Sequence, residues 1–175
     1  MQNKTAKFQK HLKYMHHAAQ LCNNSKCGFK TGCIAVKDDK ILIEGWNETL
    51  PGEIYCQNGV CIREKENLSG GKDIEKVCAI HAEASVVAQA ASAGIPLKDC
   101  VIYVTLFPCI ICSRLLSKVK IAELYYMNAY PGNNLGESFF KASNIPITQI
   151  KEKDIWEYDA KIKKTPNGKD KLKFV

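Results

Sequence analysis

The chain lacks any run approaching the roughly 20 consecutive apolar residues that a membrane-spanning helix requires, so no such helix is expected. Its opening, MQNKTAKFQKHLKYMHH, has no apolar core of signal-peptide length, and a cytoplasmic protein is the expectation. Internal repeats and low-complexity segments are absent too. With 46% hydrophobic and 25% charged residues, the composition is close to the globular average and argues against disorder, collagen and coiled coil. At 175 residues the chain makes one ordinary domain, able to bury roughly 70% of its unfolded surface. Charge of one sign is only mildly in excess. The 25 Lys and Arg against 18 Asp and Glu give +7, and 8 − 5 = +3 of that belongs to residues 151–175. Such an imbalance suits an anionic partner, but a solvated tail accounts for much of it. Cysteine, by contrast, is abundant. Without an export signal, nine cysteines point to metal binding or catalysis rather than to disulfides.

Periodicity sets out the organisation. Phe8, Leu12, Met15, Ala19 and Cys22 recur at three- and four-residue steps and predict one apolar face of a helix within the first 25 residues. Two apolar runs, Cys33 to Val36 and Ile41 to Ile43, flank the polar turn Lys37-Asp38-Asp39-Lys40 and predict a β-hairpin. The segment from Glu44 to Lys76 has no periodicity and predicts a long loop, of the kind that is functional or held by something. Beyond it the pattern alternates. Helices are expected from His81 to Ala93, Cys109 to Lys118 and Leu135 to Ala142, and strands from Val101 to Thr105, Ile121 to Met127 and Ile145 to Ile150. That alternation predicts an α/β domain with a partly parallel sheet. Its expected span is residues 1–150, with the N-terminal helix at 5–24. Residues 151–175 form a basic extension that packs in part through Trp156 and Tyr158.

The chemistry concentrates in four residues. Cys109 and Cys112 form a C-x-x-C directly after Pro108, and His81 lies 28 residues before Cys109. One imidazole and two thiolates suit Zn²⁺, and three protein ligands leave a fourth tetrahedral position for water. Both ligand segments fall at predicted helix starts, whose partial positive charge favours thiolates. Glu83 is two residues from a ligand and suits a proton shuttle. A redox pair or a structural zinc half-site would account for the C-x-x-C alone. Neither needs His81-Ala82-Glu83, and a structural site supplies four protein ligands.

His-x-Glu followed by Pro-Cys-x-x-Cys is the signature of zinc-dependent nucleobase deaminases. Together with SKCGFKTGCIAVKDDKILIEGWNETLPG, CAIHAEASVVAQAA and IYVTLFPCIICSRLL, it makes the chain resemble the cytidine/deoxycytidylate deaminase superfamily from about Ser25 to Ile150. The strand leading through Thr105-Leu106-Phe107 into Pro108-Cys109 places the likeness nearest the dCMP deaminases. The resemblance implies a three-layer α-β-α cytidine-deaminase-like fold with a mixed central sheet. It implies hydrolytic deamination of a cytosine nucleotide, dCMP to dUMP first, by a zinc-activated water with Glu83 carrying the protons. It also implies substrate contacts from Asn47, Ala82, Ser85, Thr105, Phe107 and Tyr130. For Asn47 the other reading is a turn asparagine, for Tyr130 a half-buried aromatic, and for Thr105 and Phe107 strand-end packing.

Three departures weigh on the phosphate preference. Ser85 stands where members carry Asn, Asn128 where they often carry Asp, and Glu48 where they continue Gly-Thr-Pro. Cys27 and Cys56 match ligands of a structural zinc in some dCMP deaminases. Cys61 and Cys78 would complete a second, four-thiolate site; small buried hydrophobes are the alternative. Cys22, Cys33 and Cys100 are expected in the core, and His11, His16 and His17 on the surface. Family members are homo-oligomers, and the same is expected here. Competing functions are a deaminase of free (deoxy)cytidine or another nucleotide, a deaminase of a base in nucleic acid, and a non-catalytic zinc-folded interaction module. Nucleic acid is not an expected partner, because the basic tail is interleaved with acids and the motifs favour mononucleotides.

Overall fold

A computed structural model describes residues 2–52, 61–68, 73, 76, 78–130 and 135–163. The element order is α1 (Gln2–Leu21), a 3₁₀ turn at Cys22–Asn24, β1 (Gly32–Lys37), β2 (Lys40–Trp46), α2 (Ile62–Lys65), α3 (Ala82–Ala93), β3 (Val101–Leu106), α4 (Ile110–Lys118), β4 (Glu123–Asn128), α5 (Leu135–Ala142), β5 (Ile147–Gln149) and α6 (Glu152–Lys163). The five strands form one sheet in the order β2-β1-β3-β4-β5. β1 runs antiparallel to both β2 and β3, whereas β3, β4 and β5 run parallel. The sheet is therefore mixed, as the resemblance implies.

Local chemistry explains the elements. Asp38 and Asp39 both take positive φ, 49° and 61°. That is the backbone of a tight hairpin turn whose twist matches the flanking strands, and Asp tolerates it. Gly94 closes α3 at φ 68°, and the Ile95 N–H reaches back to the Ala90 carbonyl at 2.9 Å. This is the left-handed cap that glycine makes cheap.

Two apolar layers hold the helices on the sheet. On one face, α3, α4 and α5 supply Val86, Leu116 and Phe140 against Ala35, Ile102 and Leu124. On the other, α1 and α6 supply Leu12, Met15, Ala18 and Ile155 against Ile34, Tyr103 and Met127. Helix α6 thus packs through Ile155, which is fully buried, while Trp156 is exposed. Cys22, Cys33 and Cys100 are in the core as expected. Phe8 is not: it lies a turn before Leu12, where the buried stripe of α1 begins, and is 43% exposed.

The histidines depart from expectation for a tertiary reason. His16 is buried and bonded through Nε2 to Oδ1 of Asp159 on α6, 3.0 Å away. His11 joins the hydroxyls of Tyr103 and Tyr125 at 2.8 and 3.2 Å. His17 is nearer the surface and meets Glu44 at 2.7 Å. Their partners lie 27 to 143 residues away in sequence. Among the described residues no helix is long and apolar enough to cross a membrane.

Candidate active site

The parallel strands deliver the site. Ligands of layered α/β sheets bind beyond the carboxyl ends of such strands, where helices begin. Here β3 ends at Leu106 and the chain passes through Phe107 and Pro108 into α4, with Cys109 as its N-cap residue. The Cys109 sulfur accepts from the Cys112 N–H at 3.5 Å. Opposite, His81 is the N-cap residue of α3, and Glu83 lies in the first turn.

Two features fix the start of α3. Glu48 and Ile80 pair through their backbones at 3.1 and 2.7 Å, bringing the chain back to β2 immediately before His81. Gly45 on β2 lets α3 approach closely. A Cβ there would lie 2.8 Å from the Ala82 carbonyl oxygen and 2.9 Å from Cγ2 of Val86.

His81, Cys109 and Cys112 present three ligand atoms within 4.8 Å of one another. The imidazole nitrogen facing both sulfurs is Nδ1, at 3.4 Å from Cys109 and 3.7 Å from Cys112. A tetrahedral zinc with ordinary bond lengths sets nitrogen and sulfur ligands about 3.6 Å apart. The donor set and its spacing therefore fit Zn²⁺, with three protein ligands rather than four.

The electrostatics agree. The Cys109 thiol is held well below its ordinary value, first by the hydrogen bond with Cys112 and then by His81, while Cys112 goes up in return. His81 is raised by its hydrogen bond to Cys109. Glu83 is 5% exposed, and burial pushes its carboxyl up to about 7, with His81 pulling the other way.

A cavity of about 370 Å³ opens over these groups. That is the size of a pocket for a small molecule rather than a macromolecular groove. His81, Glu83 and Cys109 border it, and so do Asn47, Phe107 and Tyr130. Those six residues, expected at one site from the sequence, lie around the same cavity. Ala82, Ser85 and Thr105 are not among the described lining residues.

Ser85 and Thr105 are engaged elsewhere. Ser85 donates its hydroxyl to Oε1 of Glu48 at 2.7 Å and accepts from Gln89 at 3.0 Å. The Thr105 oxygen accepts from the Gly32 N–H at 3.1 Å. Asn47 lines the cavity, yet both ends of its amide are used. Oδ1 accepts from the Thr31 N–H at 2.8 Å and Nδ2 donates to the Phe29 carbonyl at 2.7 Å. Asn47 thereby pins the wall that carries Phe29, an exposed ring at the cavity. Phe107 stands edge-on to Tyr126 and Phe140. Cys27, Cys61 and Cys78 also border the cavity, while Cys56 lies outside the described residues. Ile62, Arg63 and Glu64 also border it without having been singled out in the sequence. A lone arginine in an aperiodic loop gives no local signal of where it will face.

Comparison with known proteins matches residues 8–128 to the family described as the cytidine and deoxycytidylate deaminase zinc-binding region. The ComE operon protein 2 of Bacillus subtilis (strain 168) is 27% identical over 165 residues, covering 93% of this chain and 78% of that protein. The deoxycytidylate deaminase of Schizosaccharomyces pombe is 25% identical over 137 residues. That match covers 78% of this chain but only 42% of the yeast protein. Among solved structures, the dCMP deaminase of cyanophage S-TIM5 in complex with dCMP and dUMP superposes with a TM-score of 0.61 at 22% identity. It covers 79% of this chain and 94% of the phage chain.

Proposed function

The chain belongs to the cytidine and deoxycytidylate deaminase family, and from that premise we propose that it hydrolyses the exocyclic amine of a cytosine nucleotide, dCMP plus water giving dUMP plus ammonia. The observation that carries this reading is the convergence of His81, Cys109 and Cys112 beside the buried Glu83 at the cavity wall. Deoxycytidylate deaminases among the relatives support the choice of substrate.

His81 Nδ1 and the two sulfurs would hold the zinc. When bound, Zn²⁺ supplies Lewis acidity and lowers the pKa of a water at its fourth position. The remaining work falls to the chain's own groups. Glu83 takes a proton from the attacking water and delivers it to ring N3 as the oxygen adds at C4. It then takes the second proton to the departing amine, which leaves as ammonia. A carboxyl pushed up to about 7 is poised for both transfers near neutral pH, because proton exchange is most efficient when pKa and pH are close. Phe107 and the Asn47-pinned Phe29 segment shape an apolar wall for the pyrimidine, and Tyr130 borders the same space. Ala82, Ser85 and Thr105 act through the wall behind it. The departures at Ser85 and Glu48 are compatible with a phosphate, because the carboxylate is turned onto the Ser85 hydroxyl.

Two further parts of the proposal concern assembly. A second zinc on Cys27, Cys56, Cys61 and Cys78 predicts two ions per chain by elemental analysis, and one ion per chain counts against it. Exposed Ile111, Leu115 and Leu135 on α4 and α5 support a homo-oligomer, which sedimentation checks.

The test of function is a panel of dCMP, dCTP, CMP, deoxycytidine, cytidine and a tRNA anticodon stem-loop offered to the zinc-loaded protein. Preferential turnover of dCMP is expected. Turnover of another member with dCMP inert overturns the substrate and keeps the chemistry. No turnover at all with zinc bound overturns the enzyme reading in favour of an interaction module.

A further inference from the structure

Two residues that depart from the family pattern, Glu48 and Ser85, are not among the described lining residues of the cavity, and the structure joins them to each other. The start of α3 gives the reason. A helix N-terminus is ordinarily held by the side chain of its N-cap residue, which takes up one of the unpaired N–H groups of the first turn. Here that residue is His81, and its side chain makes no capping bond. Its Nδ1 is turned to the sulfurs of Cys109 and Cys112 instead, at 3.4 and 3.7 Å. The turn that presents a metal ligand and the proton carrier therefore needs support from outside the helix.

Glu48, just past the end of β2, supports it from two sides. Its backbone pairs with Ile80, directly before His81, at 3.1 and 2.7 Å. Its half-buried side chain accepts from the hydroxyl of Ser85, two residues beyond Glu83, at 2.7 Å. Ser85 is buried, so water competes little for this bond. Gln89, one turn further along α3, extends the clasp: its Nε2 donates to the Ser85 hydroxyl and to the Glu44 carbonyl of β2, both at 3.0 Å. On the sheet side, the tight contact of α3 with Gly45 leaves the turn no room to move inward. The Ser85–Glu48 bond opposes movement outward. Because Glu48 does not border the cavity, its influence on the reaction passes through the turn it holds.

We propose that Glu48 is a positioning residue, which through the Ser85 hydroxyl fixes the first turn of α3 so that Glu83 stands at the reacting atoms. This deepens, and rests on, the reading of the site as a cytosine-nucleotide deaminase.

The test compares the zinc-loaded full chain with Glu48→Ala, Glu48→Gln and Ser85→Ala, at equal zinc content and well below each melting temperature. Two readouts are taken: steady-state kinetics on dCMP, and hydrogen–deuterium exchange of the peptide over residues 81–86. Misplacement by about 1 Å costs about 100-fold in rate, so kcat should fall by about 10- to 100-fold in Glu48→Ala and Ser85→Ala. KM should stay within about 3-fold, because no contact with the substrate is removed. Exchange over 81–86 should quicken about tenfold in both variants. Glu48→Gln keeps an oxygen that can accept from Ser85 and should recover most of both losses. If Glu48→Ala does not fold, Ser85→Ala decides alone, since it removes only a hydroxyl. A kcat equal to the wild type in the folded variants overturns the proposal, whether or not the melting temperature drops or exchange quickens. So does a raised KM at constant kcat, which marks a substrate contact, or a Glu48→Gln variant as slow as Glu48→Ala. The underlying function fails differently: a zinc-loaded wild type that releases no ammonia from any cytosine nucleotide removes the deaminase reading. A wild type active on dCMP and matched by all three variants removes the Glu48 assignment alone.

Discussion

Glu83 occupies a place where a carboxylate is costly, 5% exposed and close to two thiols. Burial raises its pKa because the ionised form loses water, and the neighbouring imidazole offsets only part of that. The three ligand atoms gather within 4.8 Å of one another, a spacing that suits a single metal ion. The corresponding residue-scale prediction concerns His81. Replacing it by alanine leaves two thiols and no imidazole, and zinc affinity should fall by at least about 100-fold. Competition with a chromophoric chelator measures this; wild-type affinity in His81→Ala would deny His81 its role as ligand. These four residues were legible because each carries distinctive chemistry at a spacing that reports on geometry. Arg63 was not, and neither was the hydrogen bonding of Asn47 and Ser85, because the partners of those side chains are set by tertiary contacts such as Ser85 with Glu48, 37 positions away.

At the scale of elements, the site depends on how closely α3 rests on β2. Gly45 makes that approach possible, since a Cβ there meets the Ala82 carbonyl oxygen and Val86 at under 3 Å. Gly45→Ala must push α3 outward and carry His81 and Glu83 with it. We expect a loss of about 1 to 3 kcal/mol of stability, as for other overpacked sites, together with a clear loss of turnover. Urea denaturation and a dCMP assay measure both, and an unchanged stability would show that α3 has room that the structure denies it. From α1 to β5 the helices and strands other than α2 were readable in order because the period switches between 2 and 3.6 along the chain, whereas α6 was expected only as a partly packed extension. Their ends were readable where Gly94 and Pro108 punctuate it. Helix α2 was hidden, since four residues are too few to show a period. The buried state of His16 was hidden as well, because α6 supplies its partner. Asp159→Ala strips that partner and loosens α6 from α1. It leaves a buried hydrogen-bonding nitrogen without that partner and should cost about 1 to 3 kcal/mol, as read by thermal denaturation.

For the whole molecule, the two faces of the sheet have different duties. One carries the helices that build the site, and the other is a packed layer of aromatics, with Tyr103 and Tyr125 stacked 5.1 Å apart. Burial raises the pKa of both phenols above the ordinary value near 10. The sign follows from linkage: above pH 10 the unfolded chain releases these protons and the folded chain retains them, so stability is held below that pH and lost as pH rises beyond it. Alkaline titration should show tyrosinate absorbance from these two rings appearing in step with unfolding. Ionisation of all the tyrosines near pH 10 without loss of structure would contradict the buried layer.

The role of the carboxylate beside the metal ligands is tested most directly by ammonia release from dCMP by the zinc-loaded wild type and its Glu83→Gln variant, compared at equal zinc content. The wild type should turn over, and the variant should be slower by at least about 100- to 10,000-fold, as expected when a general acid–base group is removed. A variant that releases ammonia as fast as the wild type would contradict the proton-carrying role on which the proposed mechanism depends.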